Sequence, residues 1–217
     1  MIDLSAALSH VLWIGGGPQA GKTTLSRLLA GKYDLKIHNL DWHGAREHLS
    51  PPGPAAAAFG RLSMDERWAV PAPEKLLERS IAIWTERFAF VIDELLALPR
   101  SRPIVAEGPG ALPWCVAPLL RSPRQALFLV PTPDVRERVA ERRWGPGQSL
   151  RFAGIRDLDR ALSSLRLRDR LLDARIASSC AQLGLRCESV DGSRDLDTSV
   201  LLLEEHFRPH LPVVLNA

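Results

Sequence analysis

Cysteine is scarce in this chain of 217 residues and forms no recognisable pattern. The three cysteines, Cys115, Cys180 and Cys187, are odd in number and lack the close spacing of metal ligands. Such a set is typical of reduced, mostly buried thiols in a cytosolic protein, so the sequence predicts neither a disulfide framework nor a thiolate metal site.

Long apolar runs and a strong excess of one charge are also absent. No stretch approaches the roughly 20 apolar residues of a membrane-spanning helix, and the first residues, "MIDLSAALSHVLWIGG", lack a basic region followed by a long apolar core. The formal net charge of +3 is too small to imply a nucleic-acid partner. We therefore expect a soluble, cytoplasmic protein that acts on neither membranes nor nucleic acids.

Short apolar runs alternate with helical patterns along the chain. Five strands are predicted, at 10–16, 35–41, 103–108, 125–130 and 185–193. Helices are predicted directly after residue 21, at about 74–98, from 133 to the Gly-Pro-Gly of 145–147, at about 158–183 and at about 195–207. This alternation predicts an α/β protein with a five-stranded parallel sheet and helices on both faces.

Two local features lie between the second strand and the long helix. The stretch "LSPPGPAAAAFGRLS" (49–63) is rich in Pro, Ala and Gly, which favours a loop or an insertion. Ser63 and Glu66 have capping-box spacing and predict the start of a short helix.

The stretch "IGGGPQAGKTT" (14–24) contains the full pattern G-x-x-x-x-G-K-[ST] between a strand and an amphipathic helix. Glycines let consecutive amides turn towards one point, and the helix N-terminus favours an anion there. We expect Lys22 to reach the β- and γ-phosphates of a nucleoside triphosphate and Thr23 to ligate Mg²⁺. ATP is the expected nucleotide, with GTP left open. The predicted binding residues are Gly16, Gly17, Pro18, Gln19, Ala20, Gly21, Lys22, Thr23 and Thr24.

The layout resembles small-molecule kinases of the nucleotide-kinase group, which include nucleoside monophosphate kinases, shikimate kinase and chloramphenicol phosphotransferase. The shared features are "GGGPQAGKTT", a carboxylate after strand two, an acid after strand three, an arginine-bearing segment and a late "VDGS". The resemblance implies a three-layer P-loop NTPase fold in a single kinase-like domain over 1–217. It also implies a small arginine-bearing lid at about 144–157 and an insertion or acceptor-side segment at about 42–72.

Two acids are candidates for the chemistry. Asp41 follows strand two, where its side chain would face the ligand crevice and could accept a hydroxyl proton. In the enzymes that the chain resembles, an aspartate here contacts the acceptor hydroxyl or the metal shell; a turn or helix-cap aspartate is the alternative. Glu107 ends strand three and resembles the Walker B-like acid beside Mg²⁺, and also the strand-end Glu of deoxynucleoside kinases. Their following Arg-Ser is replaced here by Gly108-Pro109, and the roles of Asp41 and Glu107 could be exchanged.

Arginines cluster around a glycine-proline hinge in "RERVAERRWGPGQSLRF". A closing lid that delivers arginines would stabilise the charge of a phosphoryl-transfer transition state. Helical spacing places Arg138 with Arg142 on one face and Arg136 with Arg143 on another, so they cannot all serve. We predict catalytic roles for Arg138 and Arg142 and keep Arg151 as a third candidate. A solvated basic helix is the alternative.

The late segment "SVDGSRD" resembles the segment whose backbone wraps the adenine in nucleotide kinases, which implies contacts from Asp191, Gly192 and Ser193; an ordinary turn is the alternative. An acceptor pocket is expected between strand two and the helix at 74–98, where aromatics and arginines would suit a planar or amphiphilic molecule. Core packing is the alternative for the aromatics. The candidate acceptor residues are Asp41, Trp42, His43, Arg46, Arg61, Trp84, Arg87, Phe88 and Trp114.

These features together predict an ATP- and Mg²⁺-dependent phosphotransferase that acts on a hydroxyl of a small molecule. A nucleoside, a sugar or an antibiotic, in a resistance-type phosphorylation, would each fit as the acceptor. A nucleoside monophosphate kinase and a regulatory P-loop ATPase are the alternatives. "PIVAEG" matches poorly the hydrophobic run before Asp-Glu that an assembly ATPase would have. The oligomeric state stays open, with a homodimer as one option.

Overall fold

One parallel sheet of five strands organises the molecule, with the strand order β2-β3-β1-β4-β5. A computed structural model describes residues 3–41, 53–144 and 153–212. The strands are β1 (Val11–Gly16), β2 (Lys36–Asn39), β3 (Ile104–Glu107), β4 (Ala126–Pro131) and β5 (Arg186–Val190). Every strand pair is parallel, so the predicted five-stranded α/β sheet is confirmed.

Nine α-helices lie within the described residues. They are α1 (Leu4–Ala7), α2 (Lys22–Tyr33), α3 (Pro54–Gly60), α4 (Met64–Trp68), α5 (Pro73–Ala97), α6 (Pro113–Val116), α7 (Pro133–Trp144), α8 (Leu158–Leu183) and α9 (Leu196–Phe207). Within the described ranges, no helix is both long enough and apolar enough to cross a membrane.

Two apolar clusters cover the two faces of the sheet, because successive side chains of a strand point to opposite sides. Trp13 of β1 joins one cluster with Phe88 of α5 and Leu172 of α8. Its neighbour Leu12 joins the other cluster, which includes residues of α2 and α9. The sheet is therefore enclosed by helices on both faces, as the sequence predicts.

The Pro- and Ala-rich stretch differs from the sequence-based expectation of a loop. Residues 54–60 form α3, with Pro54 in the first turn of the helix and four alanines after it. Proline fits the first turn because its missing N–H has no partner there, and alanine has the highest helix propensity. The capping box is confirmed: the Ser63 hydroxyl accepts from the Glu66 amide at 3.3 Å, and the Ser63 amide donates to the Glu66 carboxylate at 2.8 Å.

Candidate active site

The phosphate loop, residues 16–24, leaves the carboxyl end of β1 and enters α2. Gly16 and Gly21 have φ values of +124° and +79°, which side-chain-bearing residues rarely adopt. The Gly17 amide donates to the Leu129 carbonyl at 2.9 Å and ties the loop to β4. The loop therefore lies at the centre of the sheet edge where the carboxyl ends of β1, β3 and β4 meet.

Lys22 begins α2 and is buried, with 6% of the residue exposed. Its ammonium donates to the carbonyls of Gly16 at 3.1 Å and Gly17 at 2.6 Å. Burial lowers the pKa of Lys22 to about 8, although the charges of Asp41 and Glu107 act in the opposite direction. The ammonium is therefore held inside the curve of the loop, where an anion would meet it.

Glu107 lies at the end of β3 and is almost completely buried, with 1% exposed. Its Oε1 accepts a hydrogen bond from the Thr23 hydroxyl at 3.0 Å and another from the Asn39 side-chain amide. Burial raises the pKa of Glu107, while the Thr23 hydrogen bond, the Lys22 charge and the Asn39 hydrogen bond lower it. A hydroxyl and a carboxylate, which are the hard oxygen donors that Mg²⁺ prefers, thus lie side by side at the loop.

Asn39 was not among the residues predicted from the sequence, because the sequence does not reveal that β2 pairs with β3. Asn39 and Glu107 are direct partners in the parallel register, so their side chains lie level on neighbouring strands. A polar residue two positions before Asp41 was the available signal. It becomes informative only when the strand order places β2 next to β3.

Asp41 follows β2 and is exposed, and its charge reaches both Lys22 and Glu107. It also lines a small cavity with three residues of one α5 stripe, Trp84, Arg87 and Phe88. Phe88 contributes only an edge, because it is 8% exposed and its ring lies 5.7 Å from the ring of Trp13 in the core. Four of the predicted acceptor-site residues therefore come together beside the phosphate loop.

The other predicted acceptor-site residues are placed differently. The Trp114 ring lies 4.9 Å from the guanidinium carbon of Arg175 on α8 and packs against the core cluster. Arg61 is exposed at the end of α3. Trp42, His43 and Arg46 lie outside the described residues.

A second groove opens at the carboxyl end of β5. Asp191 and Gly192 line it together with Leu25 of α2 and Leu129 of β4. The guanidinium of Arg138 lies against Gly192, 2.9 Å from the position that a Cβ would take. Ser193 does not line the groove but closes a turn. Its hydroxyl donates to the Asp191 carboxylate at 2.6 Å, and its amide donates to the same carboxylate at 2.9 Å. The groove, Arg138 and the phosphate loop are therefore neighbours along one edge of the sheet.

The predicted lid arginines have different environments. Arg138 and Arg142 are exposed on α7, whereas Arg136 is buried, with 3% exposed. The guanidinium of Arg136 donates to Asp169 and Asp173 of α8 and to Gln19 of the loop. The Arg143 side chain, Arg151 and most of the predicted lid at about 144–157 lie outside what the structure describes.

Comparisons with known proteins give no family assignment. No protein-family model matches the chain, and no curated protein matches it significantly. Among the solved structures that resemble it, three do so across nearly their whole lengths. An uncharacterized protein from Eubacterium ventriosum is 14% identical with a TM-score of 0.48, over 92% of this chain and 98% of that one.

The other two similar structures are named kinases. A shikimate kinase from Bacteroides thetaiotaomicron is 19% identical with a TM-score of 0.49, over 91% of this chain and 98% of that one. A thymidylate kinase from Candida albicans is 15% identical with a TM-score of 0.47, over 93% of both chains. At these identities and scores the resemblances carry no argument of their own. The order of the five parallel strands, the helices on both faces and the phosphate loop at the end of β1 give this chain a three-layer P-loop NTPase fold.

Proposed function

We propose that the protein is an ATP- and Mg²⁺-dependent phosphotransferase that moves the γ-phosphate of ATP to a hydroxyl of a small molecule. The observation that carries the proposal is the position of Asp41. Its charge reaches Lys22 and Glu107 on one side, and on the other it lines the cavity of Trp84 and Arg87. A carboxylate between a phosphate loop and a separate cavity suits transfer to an acceptor.

The donor side rests on the loop and the residues around it. The loop amides and the N-terminus of α2 would bind the phosphates, and the Lys22 ammonium would exchange its two loop carbonyls for phosphate oxygens. Thr23 and Glu107 would hold Mg²⁺, which neutralises phosphate charge during transfer. The groove of Asp191 and Gly192, covered by Arg138, would take the base of the nucleotide.

Burial and hydrogen bonding support one division of roles between the two acids. Glu107 is buried and accepts hydrogen bonds from Thr23 and Asn39, which favours the metal side. Asp41 is exposed beside the acceptor cavity, which favours the general base that receives the hydroxyl proton. A base at the boundary of the two sites would be placed to receive the proton of an acceptor hydroxyl.

The lining of the acceptor cavity supports an alcohol as the acceptor. Trp84 offers an aromatic wall to which Phe88 adds an edge, and Arg87 is the one arginine that the described residues contribute to the lining. A nucleoside monophosphate kinase would need several cations to bind the acceptor phosphate. A nucleoside, a sugar or a hydroxylated antibiotic would fit the combination of an aromatic wall, one arginine and a carboxylate.

A panel of hydroxylated compounds tests the proposal. The protein is incubated with MgATP and each compound, and mass spectrometry detects the mass increment of one phosphoryl group. Lys22→Ala should abolish the transfer with an unchanged circular dichroism spectrum. Lys32→Ala, on the exposed end of the same helix, is the matched control. ATP hydrolysis without any phosphorylated acceptor would instead favour a regulatory ATPase.

A second variant separates transfer from binding. Asp41→Asn removes the proposed base and keeps the size of the side chain. It should lose phosphoryl transfer far more than MgATP affinity, measured by calorimetry. Unchanged turnover would exclude Asp41 as the base.

A further inference from the structure

A buried cluster of two arginines and two aspartates lies against the phosphate loop. Arg136 of α7 contacts Asp169 at 3.2 Å and also pairs with Asp173, and Arg168 contacts Asp169 at 2.7 Å. Arg136, Asp169 and Asp173 are each at least nine-tenths buried. Two positive and two negative groups balance, so the cluster offers no net positive charge to a phosphate.

The cluster touches the loop at two points. Arg136 donates to the Gln19 side-chain oxygen at 3.3 Å. The Asp173 carboxylate lies against the α-carbon of Gly17, so closely that a Cβ there would overlap its Oδ1. That Oδ1 is buried and has no hydrogen-bond partner among the described residues. The loop is therefore packed onto the cluster and is not a free turn at the sheet edge.

The backbone of Gln19 gives an independent reason for this contact. Its φ of +67° is in the left-handed region, which glutamine rarely adopts. Such a conformation persists where the surroundings over-determine it, and such residues concentrate at functional sites. The Gln19 side chain accepts its hydrogen bond from Arg136 at this left-handed position, at the tip of the loop.

We propose that Arg136 is a positioning residue of the phosphate loop: it is fixed by Asp169 and Asp173, and it holds Gln19 so that the loop amides point at the nucleotide's phosphates. The inference rests on the proposed function, since it assumes that the loop binds a nucleotide. Arg136 would therefore affect the binding of the nucleotide and not that of the acceptor. The guanidinium acts through Gln19, because its terminal nitrogens already bond to carboxylates and to the Gln19 oxygen.

Two variants interrupt the same chain of contacts at different places. Arg136→Lys keeps the charge but loses the planar fork that reaches two aspartates and Gln19 together. Gln19→Asn leaves the buried cluster intact and shortens the side chain by one methylene, and asparagine tolerates the left-handed backbone. Each variant should raise the dissociation constant for MgATP about tenfold, the effect of losing a hydrogen bond to a charged group. Each should leave the KM for the acceptor unchanged.

The matched control is Arg170→Gln. Arg170 pairs with Glu137 at 3.1 Å and joins the same two helices, α7 and α8, at the exposed surface. This variant should bind MgATP as tightly as the wild type. If Arg136→Lys fails to fold, Gln19→Asn still decides, because it does not touch the ion cluster.

Calorimetry with MgATP gives distinct results for the two ideas. A wild-type protein that binds MgATP, with Gln19→Asn binding equally well, would overturn the positioning role and leave the proposed function intact. The cluster would then only stabilise the packing of α7 on α8. The effect of Arg136→Lys would be limited to a lower melting temperature. A wild-type protein that binds no MgATP would overturn the proposed function together with this inference.

Discussion

The Asn39 side chain provides a sharp test of the carboxylate site. Asn39→Ala removes one of the two side-chain hydrogen bonds that Glu107 Oε1 accepts and leaves the one from Thr23. A hydrogen bond to a charged group contributes about 1.5–3 kcal/mol. We expect the free energy of unfolding to fall by about that amount when Glu107 is ionised.

The loss of unfolding free energy in Asn39→Ala should depend on pH in a defined direction. Burial raises the pKa of Glu107 in the folded protein, so the folded state holds this proton more tightly than the unfolded state. Ionisation therefore costs stability as the pH rises through the folded pKa, and Asn39 offsets part of that cost. The difference between Asn39→Ala and the wild type should be full at a pH above the folded pKa of Glu107 and should shrink as the pH falls through that pKa.

Urea denaturation at the two ends of this pH range measures the difference. Gln125→Ala is the matched control, because Gln125 is also buried but bonds to neutral backbone groups, the Ser9 carbonyl at 3.0 Å and the Arg121 amide at 2.8 Å. The free energy of unfolding that Gln125→Ala loses should not change over the same pH range. An Asn39→Ala cost that is equally constant with pH would refute the argument that Asn39 stabilises an ionised Glu107.

Three further predictions concern the loop and the acceptor side. The wild-type affinity for MgATP should fall as the pH rises through about 8, because Lys22 loses its proton there, and Lys22→Arg should bind with little pH dependence in calorimetry. Glu86 accepts from two amides at the start of α3, at 2.6 and 3.1 Å. Glu86→Gln should speed hydrogen exchange of those amides about fivefold, whereas Glu78→Gln, at an exposed position of α5, the helix that also carries Glu86, should not. Ser63→Ala should lower the free energy of unfolding by about 1 kcal/mol in urea titrations, and no change would exclude the capping box as a stabilising feature.

Local patterns predicted most of the architecture. The spacing of apolar residues predicted five strands and the long helices to within a few residues. A helix that buries one face has apolar residues three or four positions apart, and a fully buried strand is a continuous apolar run. The stretch at 54–60 was the exception, since its alanines favour a helix although its prolines and glycines suggest a loop.

The phosphate loop was predicted from the sequence alone, whereas its supports were not. Lys22 and Thr23 lie next to the glycines that shape the loop, so one short pattern contains them all. Arg136 comes from α7, whereas Asp169 and Asp173 come from α8, 33 and 37 residues further along the chain. Helical spacing placed Arg136 on a different face from Arg138 and Arg142, but it could not say that this face points into the protein and towards Gln19.

The sequence by itself determined the strand–loop–helix that would bind phosphates, the parallel sheet and the candidate acids Asp41 and Glu107, because these depend on residues close together in the chain. Only the tertiary structure decided which side chains meet across elements. Strand order sets Asn39 beside Glu107, and the packing of α7 on α8 buries Arg136 between two carboxylates. Such contacts depend on which elements become neighbours in space, and the residue pattern within a single element does not predict its neighbours.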